Sequence, residues 1–478
     1  MSEFCNNFVR APYISRRQFL SRVGMGFGAL GLASLLSEES LFGADFDPNA
    51  GPLAPKLPPL PAKAKRVIQI FAKGAPSQVD TWDPKPSLAR YDGQPIVGGK
   101  GGGVAMGSPF RFQRHGKSGI EVSEVFPHIA EHVDEMAVIR SMYTDVPSHE
   151  IATVMMNTGS RSVQKPSVGS WSLYGLGTEN QNMPGFISLH TGGGLPAGGT
   201  QNWGAAFLPG IYQASSINTS GGVVDKMIEN IRSPYVSQSE QRRQLDLIHQ
   251  LNELHAQDLQ KDAQLEARIE AYEIAFKMQA AASDAFNLQK EPANMRELYG
   301  NSAQGRQMLI ARRLLERGVR FVQVWTGESW DHHNDIQGRL PRSAAEIDQP
   351  VGALLTDLKQ RGLLDSTLII YGGEFGRKPT KQGGNDVKPG RDHNANGFSI
   401  WLAGGGVKGG TVYGATDEFG AAAIENPVHI HDLHATILRL LGFDHTALNY
   451  RYNGRDFHLT DVAGSSVTSV SVVNGVIA

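Results

Sequence analysis

The spacing of apolar and polar positions changes character several times along the chain. Arg66 to Gly74, "RVIQIFAKG", is a short apolar block that predicts a first strand. Ser148 to Gly159, "SHEIATVMMNTG", predicts a helix with Ser148 as its N-cap and Gly159 as its C-cap. Residues 95–120 are Gly-rich and irregular, and 185–235 are rich in Gly, Pro, Ser and Asn, which predicts long loops. Two helices follow, and in the second Leu265, Ile269, Tyr272 and Phe276 form an amphipathic stripe of packing residues. From residue 304 the rhythm becomes regular. The helix "QGRQMLIARRLLER" ends at Gly318 and the strand "VRFVQVW" follows. The helix "AAEIDQPVGALLTDLKQR" ends at Gly362 and the strand "TLIIYGG" follows, with "FSIWLAGG", Phe398 to Gly405, as a further strand. Alternation of this kind predicts an α/β fold with a mixed, mostly parallel sheet between helices. Ligands in such folds bind beyond the carboxyl ends of the strands.

Composition narrows this picture. With 478 residues the chain suits two or three domains or one large α/β unit, and its 40% hydrophobic and 19% charged residues are those of a globular protein. A net charge of -2 gives no general attraction to nucleic acid or anionic membrane. Arg16-Arg17 in "SRRQFL" precedes a short apolar stretch, Val23 to Leu36, the pattern of a twin-arginine export signal. The stretch is too short for an ordinary membrane span of about 20 residues. We therefore expect residues 1–44 to be a Tat signal, 45–65 a Pro-rich linker, 66–463 one domain with a helical insertion at about 236–290, and 464–478 a tail. The mature protein is expected outside the cytoplasm, periplasmic in a bacterium, with no stable membrane insertion. Cys5, the only cysteine, lies in the signal, which excludes disulfides and thiolate chemistry from the mature chain.

The strand-end rule directs the search for chemistry. "VRFVQVW" is followed by Asp331, His332, His333 and Asp335, and "TLIIY" by Glu374 and Arg377. Arg391, Asp392 and His393 precede "FSIWLA", and Lys73, Asp80 and Asp83 follow the first strand. Carboxylates and imidazoles gathered on one rim suit a divalent metal, zinc first, with Mn, Fe, Mg or Ca as alternatives. Arg377 is placed to bind an anionic oxygen, because its planar fork matches phosphate or sulfate. Ser148 opens a helix whose first N–H groups favour an oxyanion, so it is a candidate nucleophile, with His149 a candidate base or ligand. "HIHDLHATILRLLGF", His429 to Phe443, reads as a capped helix rather than a metal motif, and Gly404-Gly405-Gly406 lacks dinucleotide spacing.

The segment "IDQPVGALLTDLKQRGLLDSTLIIYGGEFG" resembles the sulfatase helix and strand that deliver a metal Asp, and "HIHDLHATILRLLGF" resembles a later sulfatase helix. More closely, "GAPSQVDTWDPKP", "HEIATVMMNTG", "WDHHND", "GGEFGRKP" and "GRDHNANGFSIWLAGGGVKGG" resemble the bacterial family called domain of unknown function 1501, of the planctomycete type. The resemblance spans nearly the whole mature chain and implies the alkaline phosphatase and sulfatase superfamily. It places Glu374 at the sulfatase metal Asp, Phe375 at a lost ligand, and Asp331, His333 and His393 at one zinc site of alkaline phosphatases. Asp80 or Asp83 would stand in for the N-terminal metal Asp. His149 falls at the nucleophile position, beside Ser148, and the usual formylglycine precursor is absent. The implied metal set is Asp331, His333, Glu374, His393 and Asp80, with Ser148, His149 and Arg377 catalytic. The implied function is hydrolysis of a sulfate or phosphate ester in a small molecule or polysaccharide. The alternative is a catalytically silent scaffold that binds carbohydrate or a partner. The sequence assigns no oligomeric state.

Overall fold

Along the strand Arg66–Phe71 (β1), Ile68 and Ile70 pack into one apolar cluster, and Val67 and Phe71 into another. All four are buried. A strand that buries both faces must lie inside a sheet covered on both sides. The computed structural model describes residues 51–96, 102–192, 194–221, 227, 235–258, 269, 272–273, 276–277, 279, 284–382 and 388–478.

The strands that build the sheet and the rim of the site are, after β1, Met136–Tyr143 (β2), Phe186–His190 (β3), Ser215–Asn218 (β4), Phe321–Trp325 (β5), Thr367–Gly372 (β6), Gly376–Gln382 (β7), Gly390–Asn394 (β8), Phe398–Ala403 (β9), Thr411–Tyr413 (β10) and Val428–His429 (β11). The central sheet runs β10-β2-β9-β6-β1-β5-β3-β4, and β11 also pairs with β2. Strands β1, β5, β6, β3 and β4 pair in parallel, while β9 runs antiparallel between β6 and β2. β7 and β8 form a separate antiparallel ribbon in which Arg377 stands opposite His393.

Helices cover both faces. Ala303–Glu316 and the long helix Ile336–Gln360 supply Leu309, Leu314, Ile347 and Leu354 to the cluster that holds Ile68 and Ile70. His149–Thr158 (α1), Val168–Leu176 (α2) and Ile430–Leu440 (α3) supply Met155, Leu173 and Leu438 to the other. Each such side chain contributes roughly 1.5–3 kcal/mol on burial, so the two faces hold the sheet rigid. Polar anchors add direction to α1. Asn157, near its end, accepts from Gln69 at 3.2 Å and from Gln323 at 2.8 Å, side chains of β1 and β5.

The structure refines several expectations. The mixed, mostly parallel sheet between helices is present. Residues 185–235, read as long loops, contain β3 and β4. The Pro-rich segment before β1 is packed rather than free: Leu53 is buried, Lys56 N donates to Leu176 O at 2.9 Å, and Leu60 N to Gly442 O at 2.9 Å. At the other end Val473 and Val476 are buried and Ala478 N donates to Gly406 O. The signal segment lies outside the described residues, as does most of the Leu265–Phe276 stripe. Within the described part of the insertion, Gln238–Asp258 is a helix. No helix among the described residues is long and apolar enough to cross a membrane.

Candidate metal centre

Four strands deliver the rim. β1 ends at Phe71 and leads into Gly74, β5 leads into Asp331 and His333, and β6 leads into Glu374. β2 leads through Pro147 to α1, whose first residue is His149. The ribbon β7–β8 lies over these ends and adds His393. Close backbone contacts make this possible. A Cβ on Gly74 would lie 2.8 Å from Asp331 N, and one on Gly390 would lie 2.2 Å from the carbonyl carbon of His333. Only glycine lets the β1 and β8 backbones approach the Asp331–His333 loop so closely.

His149, Asp331, His333 and His393 bring one ligand atom each within 4.8 Å of one another. Nε2 of His333, His149 and His393 lie 2.9, 3.2 and 3.5 Å from Asp331 Oδ1. The Nε2 atoms of His333 and His393 are 2.9 Å apart. The far side of each ring explains this arrangement. His149 Nδ1 meets Glu374 Oε1 at 2.5 Å, His333 Nδ1 meets Gln382 Oε1 at 2.5 Å, and His393 Nδ1 meets Pro147 O at 2.8 Å. All three partners are oxygen acceptors, so each Nδ1 carries the proton. Each ring, once its Nε2 is deprotonated, presents a lone pair there. Three lone pairs and a carboxylate oxygen aimed at one point repel unless a cation lies between them. Three imidazoles and one carboxylate are also the donor set that zinc and its neighbours prefer, so the residues fit a divalent metal.

A second ring of contacts fixes these side chains. Gly74 N donates to Glu374 at 3.0 Å, holding the carboxylate against His149. Phe375 is buried and stacks on His149 with centroids 4.9 Å apart, and it packs on His393 at 4.8 Å. The residue at the lost-ligand position therefore supports two rings. Arg377 is fully buried. Nη2 donates to Asp331 Oδ1 and to Gly74 O at 2.6 Å, Nε to Ala75 O at 3.0 Å, and Nη1 to Arg391 O at 3.1 Å while lying 3.5 Å from His333 Nε2. Four of its five N–H groups have oxygen acceptors inside the protein, and the fifth faces His333 Nε2.

The structure thus brings together Asp331, His333 and His393 of the expected ligands and adds His149. Glu374 stands one contact further out, on the Nδ1 side of His149. Asp80 is elsewhere: it is buried against Arg391, with oxygens 2.6 and 3.0 Å from the guanidinium. Asp83 pairs with Lys85 at 3.0 Å, Asp392 with Lys378 at 2.7 Å, and Asp335 precedes the Ile336–Gln360 helix. His332 is buried, with Nε2 3.1 Å from Ser343 Oγ, and burial pushes its pKa down to about 4, with the Arg339 and Arg377 charges helping. Ser148 is exposed at the N-cap position and its side chain makes no capping bond. His429 caps α3 in a capping box with Asp432, and His434 Nε2 meets Met156 O at 2.8 Å, so this motif serves the helix. Gln382 and Pro147 carried no sequence signal, since a ring's orienting acceptor can be any oxygen.

Charge balance in the metal-free site centres on His149. Burial opposes its imidazolium, but Asp331 and Glu374 outweigh burial and raise its pKa to about 9. Burial works against the Asp331 carboxylate too, yet His149, His393 and Arg377 hold its pKa far below the usual range. A metal must displace the His149 proton. Apparent metal affinity should therefore climb with pH by about tenfold per unit from near neutrality and level off above about pH 9. Without metal the raised pKa stabilises the fold in full below the ordinary 6.5, and this is lost as pH rises through about 9. Competition with a chromophoric chelator across that range checks the first trend, and a flat profile would contradict it.

Comparisons with known proteins give one family and a group of distant folds. The description "Protein of unknown function (DUF1501)" matches residues 64–471. No curated protein matches the sequence. Similar solved structures include the PsFucS1 sulfatase from Pseudoalteromonas sp., at 13% identity and TM-score 0.34, covering 79% of this chain and 68% of that one. The lipoteichoic acid synthase LtaP from Listeria monocytogenes matches at 12% identity and TM-score 0.34, with 89% and 80% covered. Alkaline phosphatase from the Antarctic bacterium TAB5 matches at 10% identity and TM-score 0.32, with 73% and 94% covered.

Proposed function

The chain belongs to the DUF1501 family, and from that premise we propose that it is a metal-dependent hydrolase of sulfate or phosphate esters that works outside the cytoplasm. The family supplies no activity, so the reading rests on the site. One observation carries it: three Nε2 atoms and Asp331 Oδ1 converge at the carboxyl rim of a parallel sheet, each ring oriented by an acceptor on Nδ1. His149, Asp331, His333 and His393 would hold the ion, which would supply a Lewis acid for the ester oxygen and for water. The protein's own part is orientation. Glu374 fixes the tautomer of His149, Arg377 keeps Asp331 ionised and in place, and Phe375 keeps two rings from turning. The four ligand side chains are between a fifth and a third exposed, which leaves one side open to substrate.

Turnover of aryl sulfate and aryl phosphate by metal-loaded protein tests the proposal. Ser148→Ala belongs in the same assay. The hydroxyl makes no capping bond, so the substitution should cost less than the ~1 kcal/mol of a working cap. With attack by water, turnover should stay within about twofold, whereas loss by orders of magnitude would make Ser148 the nucleophile. The export part rests on Arg16-Arg17, and changing both to Lys should leave uncleaved precursor in the cytoplasm.

A second reading, a silent scaffold that binds carbohydrate or a partner, has one observation in its favour. Arg377, the guanidinium nearest the cluster, is fully buried and spends four of its five donors on Asp331 and on backbone carbonyls, so little of it is left for a substrate anion. Stoichiometric metal without turnover of either ester class would favour that reading.

A further inference from the structure

A groove beside α1 has the chemistry of a sugar site. Its larger part is a cavity of about 760 Å³, within the range of small-ligand sites. Trp203 lies in its wall, nearly buried, and Phe207, Tyr452 and Phe457 line it with partly exposed rings. Phe207 stacks on Tyr452 with centroids 5.4 Å apart and planes within 19°, and it lies 4.9 Å from Phe457. Flat aromatic surfaces of this kind take the C–H face of a pyranose, while amides and hydroxyls at the edge take its hydroxyls. Gln164, Thr200, Gln213 and Ser216 supply that edge.

Lys165 gives the groove a charge preference. It lines the cavity yet is only 7% exposed. Its ammonium donates to Asp461 O at 3.1 Å and stands 3.9 Å from the Asp461 carboxylate. Two further N–H donors have no acceptor among the described residues. Burial lowers its pKa against the opposing pull of Asp461, so a buried cation here is under-compensated. The wall is also held in shape. Ala206 takes φ +48, an unfavourable left-handed conformation for a residue with a Cβ. Asn202 ties the same loop to Ala197 O and Gly199 O at 2.7 and 2.9 Å, and Asn157 of α1 donates to Asn202 at 3.2 Å.

A smaller cavity of about 190 Å³ shares Val163 and Gln164 with the first. It reaches Glu150, Ile151 and Val154 on α1, the helix that begins with His149. The two cavities thus share part of one wall, and the smaller borders the helix that begins with His149.

We infer that this groove binds an anionic oligosaccharide, with a sugar ring on the Phe207–Tyr452–Phe457 surface and an acidic substituent on Lys165. The inference rests on the ester-hydrolase reading only in taking that substituent to be a sulfate or phosphate ester; the aromatic surface and Lys165 stand without it. Calorimetric titration of the full chain with sulfated hexasaccharides of galactan, fucan and heparin type, and with their desulfated counterparts, tests it. Sulfated forms should bind more tightly. Tyr452→Ala, at an exposed ring, should weaken binding by roughly tenfold. Lys165→Gln should erase the preference for sulfated over desulfated sugar. Should Lys165→Gln fail to fold, the preference for sulfated sugar should instead fall with salt in the unaltered protein. Binding without turnover would leave the groove standing and remove the hydrolase. Turnover with no hexasaccharide bound, or with affinity untouched by Tyr452→Ala, would overturn the groove and leave the hydrolase.

Discussion

Asp80→Ala should destabilise the protein by about 3–5 kcal/mol while leaving its metal content unchanged. Asp80 and Arg391 are both fully buried, and Asp80 accepts from Arg391 Nε at 2.6 Å, from Arg391 Nη2 at 3.0 Å and from Ser77 Oγ at 2.5 Å. Without the carboxylate, Arg391 keeps Met106 O at 3.0 Å and Lys378 O at 3.4 Å but has no counter-charge. An unpaired buried guanidinium is among the costliest single lesions, against a total stability of about 5–15 kcal/mol for typical domains. The double variant Asp80→Ala/Arg391→Met should recover part of the loss, because it removes the orphaned charge. Thermal melts and metal analysis of the same preparations check this. Unchanged melting with lost metal would return Asp80 to the ligand set.

Glu374→Ala should lower metal affinity by roughly 10–100-fold without abolishing binding. In the structure Glu374 orients His149 through Nδ1 and takes Gly74 N, so its loss frees the ring to turn. Glu374→Gln should restore most of the affinity, since an amide oxygen still accepts the Nδ1 proton. His333→Ala should be far more damaging, because it removes one of four donors together with the 2.9 Å contact to His393. If Glu374→Gln were as damaging as His333→Ala, Glu374 would itself bind the ion.

Much of this was legible in the sequence for a simple reason. Where helix and strand alternate, β-branched runs ended by glycine mark the carboxyl rim, and Asp331, His333 and Glu374 all follow such runs. His393 was legible because it precedes β9, the antiparallel strand, whose start lies on the same rim. β3 and β4 were not legible, because short strands among Gly, Pro and Ser have little pattern of their own and pair only in the folded sheet. The roles of Asp80 and Glu374 depend on which partner each carboxylate meets. Asp80 meets Arg391, 311 residues away, and no local spacing encodes that pairing. His149 as a ligand depends on α1 being aimed at the rim, through Asn157 anchored on Gln69 and Gln323 of neighbouring strands. Phe375 looked like a missing ligand in sequence and is a packing surface in three dimensions.

X-ray absorption spectroscopy of the protein as purified, with its metal quantified, tests the metal centre. One divalent ion per chain is expected, in a shell of three imidazole nitrogens and one carboxylate oxygen, at about 2.0–2.2 Å if it is zinc. A protein that binds no divalent ion, or a shell without multiple imidazoles, would contradict it.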